Sequence, residues 1–261
     1  MTFETIRIDR QPNGTATVTL ARPDKHNAMN EIMIAELAEA AGQLTEDSSV
    51  RVIILAGEGK SFCAGGDLGW MKRQMENDRQ EKMREAGALA SMLNAWNGLL
   101  KPVIGKVHGA AYGGGLGLVA VCDVVVAAED CRFALTETRL GLIPATIGPF
   151  VVSRMGEAFA RQVFFNARPF DAAFLMRAGL VSLICKTEEL DETVSEEAAF
   201  FLDCAPGAIA DAKSLCRALA GCKPQEMANF TAGALADRWE TDEAQEGIAA
   251  FFAKSLPSWR R

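Results

Sequence analysis

Twice in this chain an apolar stretch of strand length runs into a cluster of small residues and then into a helical pattern. Val50 to Leu55 is apolar enough to be a strand buried on both faces, and it leads into the Gly-rich segment Gly57 to Gly69. Pro102 to Val107 reads as a second such strand, ending in His108-Gly109-Ala110-Ala111-Tyr112-Gly113-Gly114-Gly115. Leu116 to Cys122 then reads as a buried helix and Val124 to Ala127 as a buried strand. The recurrence is irregular, which argues against a solenoid repeat and for one mixed α/β core.

The rest of the pattern fits that class. Ala16 to Leu20 is a strand, stopped by Arg22-Pro23-Asp24. Asn30 is placed to cap a helix with Met33, Leu37, Ala41 and Leu44 on one face, ending in the polar stretch Thr45 to Ser49. Trp70 to Leu100 reads as helical with a charged first half. Phe159, Val163 and Phe164 mark one later helix, and Val194 to Leu202, Ile209 to Leu219 and Pro224 to Phe252 mark others. Strand signals end near Val181, so the chain divides into an α/β core over 1–194 and a helical C-terminal region over 195–261.

Charge and composition narrow the function. A formal net charge of −7 argues against a nucleic-acid partner, and the C-terminal Lys254, Arg260 and Arg261 are too few to form a basic surface. The N-terminal Met1-Thr2-Phe3-Glu4 does not begin a secretory signal, and the most apolar stretch, Leu116 to Ala128, is interrupted by Asp123. The expectation is a cytoplasmic protein with no membrane partner. Cys63, Cys122, Cys131, Cys185, Cys204, Cys216 and Cys222 are odd in number and form no CxxC, so they read as reduced core or near-core residues. Two histidines without HxxxH spacing give no metal site.

Two suggestive patterns fail on inspection. Gly57-Glu58-Gly59-Lys60-Ser61 follows a strand, but a phosphate-binding loop needs a glycine where Ile54 stands. Gly115-Leu116-Gly117-Leu118-Val119-Ala120 matches a dinucleotide fingerprint but lies mid-chain, away from its usual context. No G-x-S-x-G elbow is present. The glycines of the two turns either serve tight turns or expose amides at helix starts, where two N–H groups aimed at one oxygen make an oxyanion hole.

Several spaced motifs together decide between these. Arg22 to Asn30, Phe62-Cys63-Ala64-Gly65-Gly66-Asp67-Leu68, His108 to Leu118, Phe133 to Glu137 with Leu140 to Pro144, and Glu246 to Phe251 resemble the enoyl-CoA hydratase/isomerase (crotonase) superfamily over nearly the whole chain. The resemblance implies the crotonase (ClpP-like) spiral of ββα turns with a helical C-terminal region, and a homotrimer or dimer of trimers. It implies acyl-CoA thioester substrates, coenzyme A being part of the substrate and no other cofactor being needed. The N–H groups of Ala64 and Gly114 would hold the thioester oxygen. The turn around His26 and Ala28, with Gly66, Asp67 and Leu68, would line the CoA path, and Phe251 and Lys254 would lie near the CoA of this or a neighbouring subunit. Tyr112, Gly113, Thr136 and Leu142 would complete the substrate site.

Glu137 is the expected proton carrier, given an apolar setting by Phe133, Ala134, Leu135, Leu140 and Leu142 that would raise its pKa. Read without the family it is a loop glutamate. His26 reads as a surface-turn residue and His108 as a hydrogen-bonded residue before a glycine turn, while Tyr112 and Asp67 could assist proton transfer. The family pattern breaks at Gly117, where typical hydratases carry a second glutamate. A glycine there suggests a wider pocket and less like-charge repulsion, which suits a branched acyl group with its own carboxylate, such as 3-methylglutaconyl-CoA. The alternatives are a Δ3,Δ2-enoyl-CoA isomerase, which needs only one carboxylate, and an inactive acyl-CoA-binding homologue.

Overall fold

A computed structural model describes residues 3–221 and 223–260. Cys222, Arg261 and the first two residues, on which expectations above touch, lie outside the described residues. The main sheet has six strands in the order β1 (Ile6–Arg10), β2 (Thr15–Leu20), β3 (Val52–Gly57), β4 (Val103–Val107), β6 (Val124–Ala128) and β9 (Leu183–Cys185). All of its pairings after β1–β2 are parallel. A second sheet joins β5 (Ala110–Tyr112), β7 (Arg132–Ala134) and β8 (Phe170–Asp171).

Each spiral turn takes a strand in the main sheet, a short extended segment in the second layer, then a helix. One turn is β4, β5 and α4 (Gly114–Ala120). Another is β6, β7 and α5 (Gly148–Phe164). In the turn that begins with β3, the extended segment is a single parallel bridge, Cys63 to Ala111, before α2 (Leu68–Glu76) and α3 (Arg79–Gly98). This is the α/β spiral of ββα turns that the motifs implied.

Local chemistry explains most element ends. The Asn30 side chain accepts from Met33 N–H at 3.0 Å and starts α1 (Glu31–Glu46), whose Met33, Leu37, Ala41 and Leu44 are buried. The single helix expected over Trp70 to Leu100 is instead two. Asp78 caps α3 by accepting from Glu81 N–H, and an N-cap residue has extended backbone that ends the preceding helix. α3 then buries Leu89, Met92, Leu93 and Trp96 against α1, with the Trp96 indole N–H donating to the Leu37 carbonyl. Thr241 likewise divides Pro224 to Phe252 into α9 (Pro224–Trp239) and α10 (Asp242–Ala253).

The expected boundary at 194/195 falls inside α7 (Leu190–Leu202), whose Leu190, Val194 and Ala198 are buried in the core formed with the sheet. α6 (Ala172–Arg177) precedes β9, and α8 (Pro206–Leu219) follows α7. Arg51 ties the C-terminal region down, its guanidinium donating to the carbonyls of Leu202, Cys204 and Trp259. Lys213 of α8 adds an ion pair to Asp123 at 2.6 Å. The six described cysteines are free; Cys63, Cys122 and Cys131 are buried, whereas Cys204 and Cys216 are exposed rather than near-core. Among the described residues no helix is long and apolar enough to cross a membrane.

Candidate active site

The register of the second layer assembles the site. Cys63 bridges Ala111 in parallel, and Ala111 pairs with Phe133 in parallel. Chains that run parallel in register leave their ladder at the same edge. The segments that follow, Ala64 to Asp67, Gly113 to Gly114 and Thr136 to Glu137, therefore emerge side by side although they are far apart in sequence.

Their contact is tight enough to require glycine. Gly113 has φ +48°, and a Cβ there would sit 3.2 Å from Glu137 Oε1 and 3.9 Å from Gly65 Cα. Gly65 has φ +95°, and its Cβ would meet the Tyr112 carbonyl oxygen at 3.0 Å. Both positions combine left-handed backbone with close approach. The two Gly-rich turns and Glu137 thus form one constellation.

Glu137 begins a 3-10 turn, Glu137–Leu140, closed by Gly141 in the left-handed region. Its Oε2 is buried and has no hydrogen-bond partner. Burial raises its pKa above the usual carboxylate range, with its own backbone N–H working weakly the other way. The apolar setting differs from the one expected. Phe133, Ala134 and Leu135 are buried, but Leu140 and Leu142 are 60% and 54% exposed, so the residues after Glu137 do not cover it.

The amide geometry corrects one expectation. Ala64 N–H donates to the His26 carbonyl at 2.9 Å, so it is not free to bind an oxyanion. Met29 N–H is taken by the Gly65 carbonyl and Asp67 N–H by the Met29 carbonyl. Among the described residues Gly66 N–H has no partner, since the parallel bridge to Met29 uses the Gly65 carbonyl and the Asp67 N–H on either side of it. Gly113 N–H is held by the Ala134 carbonyl at 2.9 Å. Gly114 N–H opens the first turn of α4, where helix geometry supplies no acceptor. Each turn therefore offers an unengaged amide, Gly66 on one and Gly114 on the other.

The other predicted residues divide into two groups. His26 is exposed, with φ 50°, and its Nδ1 lies 3.1 Å from Ser61 Oγ. Arg22 binds the Ala28 carbonyl at 2.6 Å and pairs with Asp67 at 3.0 Å, fastening the His26 to Ala28 turn beside Gly66. Asp67 also accepts from Gly69 and Trp70 N–H as the cap of α2. Burial alone would raise its pKa, but those amides and Arg22 outweigh it and hold the carboxyl below its ordinary value. Asp67 is therefore a fixed anion and not a proton carrier. Leu68, next along, is 83% exposed. Tyr112 N–H donates to the Cys63 carbonyl, and Thr136 is half-buried before Glu137. His108 donates from Nε2 to the Gly59 carbonyl at 2.9 Å, a turn-stabilising contact. Phe251 and Lys254 lie elsewhere: α10 packs chiefly on α8 and α9, Phe251 is 78% exposed against Phe252, and Lys254 ends the helix in the left-handed region.

Gly117 does not widen the pocket. A Cβ there would lie 2.5 Å from Ile147 Cγ2, because Ile147, 2% exposed, already fills that space. Sequence reasoning also missed Asn27, which is fully buried. It accepts from Arg22 N–H and donates to the Glu58 and Ser61 carbonyls. Its left-handed φ of 55° gave no signal beyond the residue type.

Two recesses lie away from this constellation. One of about 330 Å³ lies between α1 and α3, and one of about 220 Å³ lies beneath α7. Neither is lined by Glu137 or by the glycines of the two turns, so volume alone does not mark the site. Among the described residues no cluster of His, Cys, Asp and Glu suited to a metal ion occurs.

Comparison with known proteins gives a consistent result. A short-chain-enoyl-CoA hydratase of Clostridium acetobutylicum is 32% identical over 92% of this chain and 91% of its own length. The crystal structure of an enoyl-CoA hydratase from Shewanella pealeana superposes with a TM-score of 0.94 at 33% identity, covering 98% of this chain and 96% of that one. Pseudomonas aeruginosa AtuE superposes with a TM-score of 0.94 at 34% identity, covering 99% and 100%. Residues 10–261 match the family model described as Enoyl-CoA hydratase/isomerase. With that match over the whole fold, and with both Gly-rich turns meeting at one buried carboxyl, the chain belongs to the enoyl-CoA hydratase/isomerase family.

Proposed function

We propose that the protein is an enoyl-CoA hydratase that adds water to an α,β-unsaturated acyl-CoA thioester, with a branched glutaconyl-CoA of the 3-methylglutaconyl-CoA type as its substrate. The observation that carries the reading is the buried, unpartnered Glu137 carboxyl set against two turns that each offer an unengaged backbone N–H. The Gly66 and Gly114 N–H groups donate to the thioester oxygen as it gains charge, and Gly66 takes the role that the motif had suggested for Ala64. A preorganised donor of this kind is worth about 10²–10³ in rate. Glu137, its pKa raised by burial, takes a proton from water and returns one to the α-carbon. Asp67 stays ionised and orders the CoA side of the site through Arg22 and α2.

The acidic substrate follows from the charge pattern. Position 117 carries no carboxylate, so a substrate carboxylate meets less repulsion there. A second reading, a Δ3,Δ2-enoyl-CoA isomerase, is favoured by the hydrocarbon beside Gly117, since one carboxyl can shuttle a proton without holding water. An assembled trimer or dimer of trimers suits the C-terminal helices. α8 has no buried residue in the single chain, and Leu235, Trp239, Phe251 and Phe252 are each more than half exposed. We place the enzyme in the cytoplasm, where its free cysteines remain reduced.

The test uses 3-methylglutaconyl-CoA, crotonyl-CoA and a 3-enoyl-CoA, each with wild type and Glu137→Gln. Loss of the conjugated-thioester absorbance with gain of one water, abolished by the substitution, supports the hydratase, and the preferred thioester identifies the acyl group. Gain of conjugation at unchanged mass from the 3-enoyl-CoA makes it an isomerase. Binding without turnover of any of the three overturns both in favour of an acyl-CoA-binding homologue.

A further inference from the structure

Gly113 caps α4, Gly117 lies four residues further on within it, and Gly117 N–H bonds the Gly113 carbonyl at 3.3 Å. That bond sets the two positions about one helical turn, roughly 5 Å, apart. Glu137 covers the first, its Oε1 lying 3.2 Å from a Cβ built at 113. Ile147 covers the second. A Cβ built at 117 would meet Ile147 Cγ2 at 2.5 Å, Ile147 Cβ at 3.1 Å and Leu93 Cδ1 at 3.4 Å. Ile147 and Leu93 are both buried, and the branched Ile147 side chain has few rotamers in which to move away. One helical turn from the contact of Gly113 with Glu137, where a side chain at 117 would otherwise project, there is packed hydrocarbon.

We propose that Ile147 is a specificity-determining residue: by occupying the side-chain space of position 117, it keeps the wall beside Glu137 apolar and limits the site to one proton-carrying carboxyl. The proposal deepens the acyl-thioester reading above and rests on it for its substrates. Residues 117 and 147 then behave as a single exchangeable unit. A carboxylate at 117 enters only when residue 147 is small. With Ile147 in place, Glu137 performs both proton steps. It takes a proton from water as the water oxygen bonds to the β-carbon and the π electrons move to the thioester oxygen. The same proton then passes to the α-carbon as those electrons return, so the net change is one water added. A thioester with its own carboxylate is tolerated because no second carboxylate stands one helical turn from Glu137.

The test compares wild type, Ile147→Gly, Gly117→Glu and the double variant by thermal melting and by kcat/KM on crotonyl-CoA and 3-methylglutaconyl-CoA. Gly117→Glu alone is expected to melt lower by roughly 5 °C or more, as overpacking against a buried branched side chain does. The double variant is expected to recover at least half of that loss. Its crotonyl-CoA to 3-methylglutaconyl-CoA preference is expected to rise about tenfold over wild type, within the coupling seen for residues in contact. Ile147→Gly alone, which only opens space, should move that ratio by less than about threefold, a change worth under 1 kcal/mol. The proposal is overturned if Gly117→Glu melts and turns over like wild type, if the double variant melts no higher than Gly117→Glu, or if Ile147→Gly alone reproduces the change in preference. If wild type turns over neither thioester, the acyl-thioester reading fails, and recovery or non-recovery of melting in the double variant still decides whether Ile147 fills the space of position 117.

Discussion

Gly115→Ala separates what helix propensity says from what the tertiary structure says, because the two predict opposite signs. Gly115 lies in the first turn of α4 with no left-handed φ. On propensity alone, alanine there stabilises by about 0.5–1 kcal/mol. The structure places the new Cβ 2.4 Å from the Cys63 carbonyl oxygen, 2.9 Å from Cys63 Cβ and 3.2 Å from the Cys63 carbonyl carbon. Backbone blocks it, not the end of a flexible side chain, so the turns have to separate. The Cys63 carbonyl also accepts Tyr112 N–H at 2.9 Å, the bond that holds the two turns in register. Overpacking costs about 1–3 kcal/mol and weakening that bond about 1 more. After subtracting the propensity gain, a net loss of about 1–3 kcal/mol is expected. For a chain of this size that lowers Tm by roughly 3–10 °C. Gly87→Ala is the internal control, since Gly87 is exposed within α3 and a Cβ there meets nothing within 4 Å. It should melt slightly higher than wild type. Thermal melting followed by circular dichroism reads both. A Gly115→Ala variant that melts at or above wild type refutes the reasoning that the Cys63 carbonyl closes on α4.

Further measurements probe the individual groups. Glu137→Gln is expected to lower kcat by about 10²–10⁴. It should also change the pH dependence of stability. The folded pKa of Glu137 is raised, so wild type loses stability as pH rises from its ordinary value of 4.5 through the folded pKa, and the variant does not. A stability difference that stays flat from pH 4 to pH 8 contradicts the buried carboxyl. Arg22→Met should cost about 1–3 kcal/mol at pH 7 in a denaturant titration, by stripping Asp67 and the Ala28 carbonyl of their donor. The lowered pKa of Asp67 contributes stability above its ordinary value of 3.8 that disappears as pH falls through the folded value, so the variant and wild type should converge in acid. Asn27→Ala removes three hydrogen bonds at a fully buried site and should cost about 3 kcal/mol or more, and a loss below 1 kcal/mol would show that water replaces the amide.

Much of the architecture was legible because its signals are local. The helix from Asn30 follows from a capping side chain and four apolar positions at helical spacing, and all of these appear in place. The three-residue strands β5 and β7 were not legible, since three residues carry no period. The break at Asp78 was missed because the apolar spacing continues beyond it, while the cap geometry that ends α2 is visible only in the backbone.

The site divides along the same line. By itself, the sequence determined that two glycine-rich turns and one glutamate with apolar predecessors exist, in an order and spacing that point to acyl-thioester chemistry. Only the tertiary structure decided which amides stay free, because that depends on which carbonyls the fold brings opposite each N–H: Ala64 meets the His26 carbonyl, whereas Gly66 meets none among the described residues. Nor could the sequence show that Asp67 is held ionised in a pair with Arg22, or that the space left by Gly117 is filled by Ile147, thirty residues later. Those outcomes rest on contacts between distant segments, and close packing lets only one side chain occupy each volume.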